Sequence, residues 1–197
     1  KSVLMYFGLA FFLIMQFTFF YVRSGIITTY VLLSAVVPVI WLLGIMPIVE
    51  LGLDPLSILV PFLIFAIAVS HAVQMTNAWK LEMAYANDST LSAAKSFEKL
   101  FVPGSIALIA NAIGFMVIAF VDITVVREMA FVATLGVSLM IISNKILLPI
   151  LLSYCPSNIK FSQSLNASAP LEAIWIKLAI IFQKPYLVFI LLLAGSL

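Results

Sequence analysis

The chain has 197 residues, of which 64% are hydrophobic and 9% are charged, and its formal net charge is +2. Soluble domains carry roughly 25% charged residues, so this composition excludes a water-soluble globule and indicates a protein that lies in a lipid bilayer. The small net charge excludes a nucleic-acid-binding surface. A single cysteine, Cys155, excludes an internal disulfide and a thiol-based zinc site, and we expect no cofactor.

Long apolar runs define the predicted elements, because a helix needs about 20 apolar residues to cross a bilayer. Five complete runs and the beginning of a sixth are present, at 2–22, 26–49, 56–78, 103–121, 129–153 and 185–197. The runs show no alternation of polar and apolar residues, as a strand in lipid would require. The predicted fold is therefore an all-α membrane protein, a polytopic helical bundle.

Two segments between the runs predict helices outside the membrane. Asp88 and its neighbours supply N-cap side chains to an amphipathic segment near 88–101, which predicts a cytoplasmic interfacial helix before the fourth span. A linker rich in Ser, Asn, Ala and Pro at 162–170 precedes a second amphipathic helix at 171–182. The expected organisation is a membrane region at 1–153, a cytoplasmic linker with its amphipathic helix at 154–184, and the start of a further span at 185–197.

The distribution of basic residues between the runs predicts the orientation. One side of the membrane receives seven of them: Arg23, Lys80, Lys95, Lys99, Lys160, Lys177 and Lys184. The other side receives Lys1 and Arg127, so the positive-inside rule makes the first side cytoplasmic. The first helix then enters from outside, and we expect an earlier span and an extramembrane domain in a longer protein.

Two ionisable residues lie at membrane depth, where inserting a Lys or Asp costs about 2.5–3.5 kcal/mol and a functional site is therefore indicated. His71 lies in the middle of the third run, and Lys145 lies in the cytoplasmic half of the fifth. Uncharged polar residues accompany them on predicted helix faces: Ser70, Gln74, Asn77, Asn111, Thr134 and Ser138. We expect one polar intramembrane cluster, in which His71 and Lys145 form a proton relay.

These residues also have structural interpretations. Ser, Thr, Asn and Gln commonly form hydrogen bonds between spans, worth about 0.6 kcal/mol each. Lys145 lies close enough to the cytoplasmic end of its helix to extend its ammonium to the headgroups. An enzyme is not expected, because the adjacent side chains of Ser70 and His71 diverge on a helix and do not face each other as a nucleophile and base require.

Three motifs follow one another along the chain: Ala68-Val69-Ser70-His71 at the centre of the third run, Ala94 and Pro103 with Asn111-Ala112-Ile113-Gly114-Phe115, and Ala133-Thr134-Leu135-Gly136-Val137 with Leu148-Pro149-Ile150-Leu151-Leu152. In this order they resemble the resistance-nodulation-division (RND) superfamily, particularly its lipid-handling, MMPL-like predicted exporters. The resemblance covers nearly the whole chain. It implies helices two to six of a twelve-helix transporter in a sterol-sensing-domain-like arrangement, followed by the linking helix and the start of helix seven.

The resemblance also implies a function, a permease of the bacterial inner membrane that moves a hydrophobic or lipid-like substrate with the proton gradient. Its implied partners are membrane lipids, that substrate, an outer porter domain, a second membrane half and further copies of itself. Proton-driven members usually carry carboxylates at the third-span centre, where this chain has Ser70 and His71. Either His71 and Lys145 replace the acidic relay, or coupling lies in the second half, or the chain is a lipid-binding or sterol-sensing module without proton-coupled transport.

Overall fold

The computed structural model describes residues 2–50 and 57–156, and every element within these ranges is helical. The described residues belong to one compact unit. The predicted linker at 162–170, the amphipathic helix at 171–182 and the sixth span at 185–197 lie outside the described residues.

Six α-helices follow one another in the described ranges: α1 (Ser2–Val22), α2 (Gly25–Ile45), α3 (Val60–Ala86), α4 (Ser89–Ile118), α5 (Thr124–Ile142) and α6 (Leu148–Ser153). A 3-10 turn, Ser57–Leu59, precedes α3, and a π turn, Ser143–Leu147, joins α5 to α6. We call the continuous segment Thr124–Ser153 the α5–α6 rod.

Within the described ranges, four helical segments are long and apolar enough to cross a membrane: α2, α3, α4 and the α5–α6 rod. A shorter apolar helix, Gly8–Val22, forms most of α1. The chain is therefore a multi-pass membrane protein, and a membrane crossing by α1 stays a prediction.

The main difference from the sequence-based expectation concerns α4. An interfacial helix near 88–101 and a separate span from Pro103 were expected, whereas the structure has one helix with Pro103 inside it. Pro103 lacks the N–H that would bond the Lys99 carbonyl, and the helix continues through the loss of that one bond. The predicted cap is confirmed, since the Asp88 carboxylate accepts from the Leu91 N–H at 3.0 Å.

Helices α1 and α3 lie side by side and run in the same direction. The Phe11 and Phe65 rings stack with their centroids 4.9 Å apart, near the beginning of α3. Further along both helices, Lys80 Nζ donates to the Val22 carbonyl at 2.6 Å. Because residues near the beginning of α1 contact residues near the beginning of α3, and residues near the two ends also meet, the two helices are parallel. Helix α2, which connects them in the sequence, must therefore run in the opposite direction.

Side chain to backbone bonds join four helices at one end of the bundle. Besides the contact between Lys80 and α1, Trp79 Nε1 donates to the Ser89 carbonyl at 3.2 Å. Ser89 Oγ in turn donates to the Leu152 carbonyl at 2.7 Å, which ties α4 to α6. This end carries the basic residues Arg23, Lys80, Lys95 and Lys99, and we call it the basic end.

Helices α2, α3 and α5 approach closely at Gly136. A Cβ placed there would lie 2.6 Å from Ile64 Cγ1 and 3.1 Å from Leu42 Cδ2, closer than side chains tolerate. Ile64 and Leu42 are themselves fully buried. Glycine at this position therefore brings α5 against α2 and α3, and so positions the π turn that follows.

Candidate functional site: a polar cluster at the π turn

Three consecutive polar residues begin the π turn, and each is buried. Each side chain donates to a backbone carbonyl on a different helix: Ser143 to Ser34 on α2, Asn144 to Ala68 on α3 at 3.0 Å, and Lys145 to Leu100 on α4 at 3.3 Å. We call Ser143, Asn144 and Lys145 the polar cluster. It connects one turn of the α5–α6 rod to the three other long helices.

Two prolines explain part of this geometry. Pro38 has no N–H, so the Ser34 carbonyl one turn earlier lacks its helical donor, and Ser143 Oγ supplies the bond. Pro149 likewise leaves the Lys145 carbonyl without a donor and crowds it sterically. Proline and π turns are both recognised causes of irregularity in a helix, and here the wider turn lies directly before Pro149.

Lys145 lies inside the bundle and does not extend to a headgroup region, since only 2% of its surface is exposed. Gly104 makes this possible, because a Cβ there would overlap the Lys145 ammonium. Among the described residues no Asp or Glu forms a salt bridge with it; the two ion pairs are Lys99 with Glu82 and Arg127 with Asp122. The ammonium is thus held by backbone and lacks a carboxylate partner within that part of the chain.

His71 follows Ala68 by three residues on α3, so it lies one turn beyond the carbonyl that Asn144 bonds. Its Nδ1 is buried without a hydrogen-bond partner among the described residues, and the same holds for Asn144 Oδ1 and Ser105 Oγ. The hydroxyls of Thr76 and Ser92 are likewise buried without a hydrogen-bond partner among the described residues. Buried polar atoms in folded proteins are normally bound by protein, water or ligand, so these five atoms are unused hydrogen-bonding capacity within the described bundle.

The other predicted site residues are not gathered here. The exposed ones are Ser70, Gln74, Asn111 and Ser138. Asn77 Nδ2 donates to Tyr21 Oη at 2.8 Å, and Thr134 Oγ1 donates within its own helix to the Ala130 carbonyl at 2.8 Å. The structure therefore places His71 one turn from the carbonyl that Asn144 bonds, and Asn77 and Thr134 form hydrogen bonds to other protein groups.

Sequence reasoning missed Ser34, Gly104, Ser105 and Ser143 as members of this region, whereas Asn144 stands beside Lys145 among the polar residues of the fifth run. A signal for some of them was present. Ser143, Asn144 and Lys145 are consecutive polar residues within an apolar run, and Pro38 follows Ser34 by four residues. Gly104 and Ser105 carried no such signal, because their importance depends on where the Lys145 side chain lies.

Several grooves open on the surface of the described part of the bundle, and two of them have contrasting walls. One, of about 420 Å³, has walls from α1, α2 and α3 that are almost wholly apolar, including Phe11, Val39 and Phe65; we call it the apolar groove. The other, of about 370 Å³, lies between the first half of α4 and the end of the α5–α6 rod, and Lys145 forms part of its wall; we call it the Lys145 groove.

Comparison with known proteins assigns this chain to no family, because no family model, curated protein or solved structure matches it. Within residues 2–50 and 57–156, no group of three or more His, Cys, Asp and Glu side chains is arranged to hold a metal ion.

Proposed function

We propose that this chain is the N-terminal membrane half of an RND-type permease of a bacterial inner membrane, which uses the proton gradient to move a hydrophobic or lipid-like substrate. The observation that carries the proposal is the buried Lys145 inside a bundle of membrane helices, with His71 one turn along α3 from the carbonyl that the adjacent Asn144 bonds. Ionisable side chains are costly at this depth, and in membrane proteins they commonly mark ion or proton pathways.

In this proposal His71 is the proton-binding group, because imidazole is the side chain whose ordinary pKa lies nearest neutrality. A proton on His71 places a second positive charge near Lys145, and the two repel each other. The Lys145 ammonium then moves away from the Leu100 carbonyl, which changes the contact between the α5–α6 rod and α4. Ser143 and Asn144 connect the same turn to α2 and α3, so one protonation acts on all the long helices.

The basic end supports the orientation that the proposal requires. Among the described residues it carries Arg23, Lys80, Lys95 and Lys99, whereas the opposite end carries Arg127. By the positive-inside rule the basic end is cytoplasmic, and the polar cluster then lies on the cytoplasmic side of the bundle.

Proton movement in liposomes tests this proposal. The full-length protein is reconstituted with pyranine inside the vesicles, a pH step is imposed, and the rate of internal pH change is followed. We expect His71→Asn to abolish the protein-dependent rate, and Gln16→Ala, which removes an exposed amide of α1 outside the cluster, to leave it unchanged. Unchanged proton movement in a folded His71→Asn protein would contradict the proposal.

A second candidate function, a lipid-binding or sterol-sensing module without proton coupling, is favoured by the apolar groove. Its size lies within the range of ordinary ligand pockets. Val39→Trp would fill this groove, whereas Leu33→Trp places the same ring on an exposed site of the same helix outside it. Loss of fluorescent sterol binding in the first variant alone, with no dependence on a pH gradient, would favour this candidate over the permease.

A further inference from the structure

The Lys145 groove combines one buried cation, two hydroxyl groups and apolar walls. Its lining includes Thr90 and Phe97 from α4 and Lys145, Pro149 and Ser153 from the rod. Lys145 is the one charged residue among the described residues that line it. A volume of about 370 Å³ is within the range that ordinary ligands occupy.

The charge of this groove is uncompensated. Lys145 is 2% exposed, donates to the Leu100 carbonyl, and forms no ion pair with the acids of the described segments. A buried ammonium without a counter-ion is costly, and an anion that enters the groove relieves that cost. The Thr90 hydroxyl is an additional donor to an anionic oxygen, whereas the Ser153 hydroxyl donates to the Ile150 carbonyl at 2.7 Å.

The surroundings of the groove are apolar. Ile146 and Ile150 form its outer wall on the rod, and both are about half exposed, at 50% and 49%. An anion with a hydrocarbon tail can therefore contact Lys145 with its charged group while the tail lies along these isoleucines. A free inorganic ion would leave those apolar surfaces without a partner.

We propose that the Lys145 groove binds an anionic glycerophospholipid of the adjacent leaflet, with its phosphate against Lys145 and its acyl chain along Ile146 and Ile150. The basic end places this lipid in the leaflet on the side of Lys95 and Lys99. The site shares Lys145 with the proton pathway of the proposed function, and lipid binding is tested apart from proton movement by closing the groove without changing either His71 or Lys145.

Lipid retention by the full-length protein tests the proposal. The protein is taken from nanodiscs that contain phosphatidylcholine and phosphatidylglycerol, and bound lipids are identified by native mass spectrometry. We expect the wild type to prefer phosphatidylglycerol, and Lys145→Gln to lose that preference by about tenfold, the scale of one charge-assisted hydrogen bond. The matched control is Lys95→Gln, which removes an exposed lysine of α4 that does not line the groove.

A second variant separates binding from folding. Ala94 lines the groove and is exposed, so Ala94→Trp fills the groove and leaves the Lys145 side chain intact. We expect this variant to lose phosphatidylglycerol while it retains the wild-type elution profile. Retention of phosphatidylglycerol by both Lys145→Gln and Ala94→Trp would overturn the proposal.

Competition and cross-linking identify the occupant. Inorganic phosphate at millimolar concentration should not displace the lipid, and oleate should displace it poorly. Displacement by phosphate alone would indicate a free-ion site, and equal displacement by oleate would indicate a fatty-acid site; either result overturns the assignment. A small diazirine-bearing aliphatic side chain in place of Ile150, which leaves the groove open, should cross-link to lipid, whereas cross-linking to protein would show that a polypeptide occupies the groove.

Discussion

Helix α4 and the α5–α6 rod have the same length and hydropathy and very different surroundings. Both have 30 residues and a mean hydropathy of 2.0 in their most apolar window, yet 6% of that window is buried in α4 and 50% in the rod. Hydropathy thus identifies a span without telling which spans form the centre of the bundle. The centre is determined by where close approach and polar bonds between helices are possible.

The rod has both features. Gly136 allows Ile64 and Leu42 to approach, and the polar cluster bonds to carbonyls of α2, α3 and α4. The second half of α4 also contains a glycine, Gly114, but no atom of the described residues lies within 4 Å of a Cβ placed there. A small residue therefore promotes packing only where a neighbouring helix reaches it.

Truncation of a large side chain should give the largest difference in stability between the α5–α6 rod and α4. Leu148→Ala in the rod removes a fully buried side chain and should lower the free energy of unfolding by about 3 kcal/mol, because a cavity remains. Ile113→Ala in α4 removes a side chain that is 60% exposed and should have little effect. Titration with SDS in mixed micelles measures both, and equal losses would contradict the difference in burial.

The two glycines offer a matched pair of smaller changes. Gly136→Ala should destabilise the protein by about 2 kcal/mol, since its methyl group overlaps Ile64. Gly114→Ala should be neutral or stabilising, because alanine is the better helix former by about 1 kcal/mol. The same titration distinguishes them, and a stable Gly136→Ala protein would show that α3 and α5 are further apart than described.

Ser143 and Pro38 form a pair that a double-mutant cycle can examine. Ser143→Ala removes the donor to the Ser34 carbonyl and should cost about 1 kcal/mol. Pro38→Ala restores a helical N–H for that carbonyl, so Ser143→Ala should cost less in this background. Ser138→Ala is the control, because Ser138 is exposed and bonds within its own helix. Additive effects of the two substitutions would exclude a shared carbonyl.

The smallest expected effect concerns the alkylation rate of the single cysteine, Cys155, which lies just after the α5–α6 rod. Cys155 is 3% exposed, and burial raises the pKa of its thiol. A raised pKa leaves less thiolate at pH 8, so alkylation by iodoacetamide should be slow and should accelerate only at higher pH. Tyr154→Cys combined with Cys155→Ser places a thiol at a neighbouring position where the native side chain is 77% exposed, and it should react faster. Equal alkylation rates for the two thiols would indicate that Cys155 is not packed against the bundle.

Apolar runs and an N-cap pattern were sufficient to predict an all-helical membrane protein and the Asp88 cap. They were not sufficient to predict that α4 continues through Pro103. A proline removes one backbone hydrogen bond, and the sequence does not show whether the turns on either side are stable enough to continue the helix without that bond. The same limit applies to the site. His71 and Lys145 stand out as ionisable residues, whereas Gly104 becomes important only once the path of the lysine side chain is known.

The interaction between His71 and Lys145 is tested most directly by solid-state NMR in bilayers, because His71 is the one histidine of the 197-residue chain. Protein labelled with ¹⁵N-histidine gives the signals of this single imidazole, recorded across a pH series. We expect these signals to change their pH dependence in Lys145→Met and to keep it in Lys95→Gln. Identical pH series for the wild type and Lys145→Met would contradict a coupled pair at the centre of the bundle.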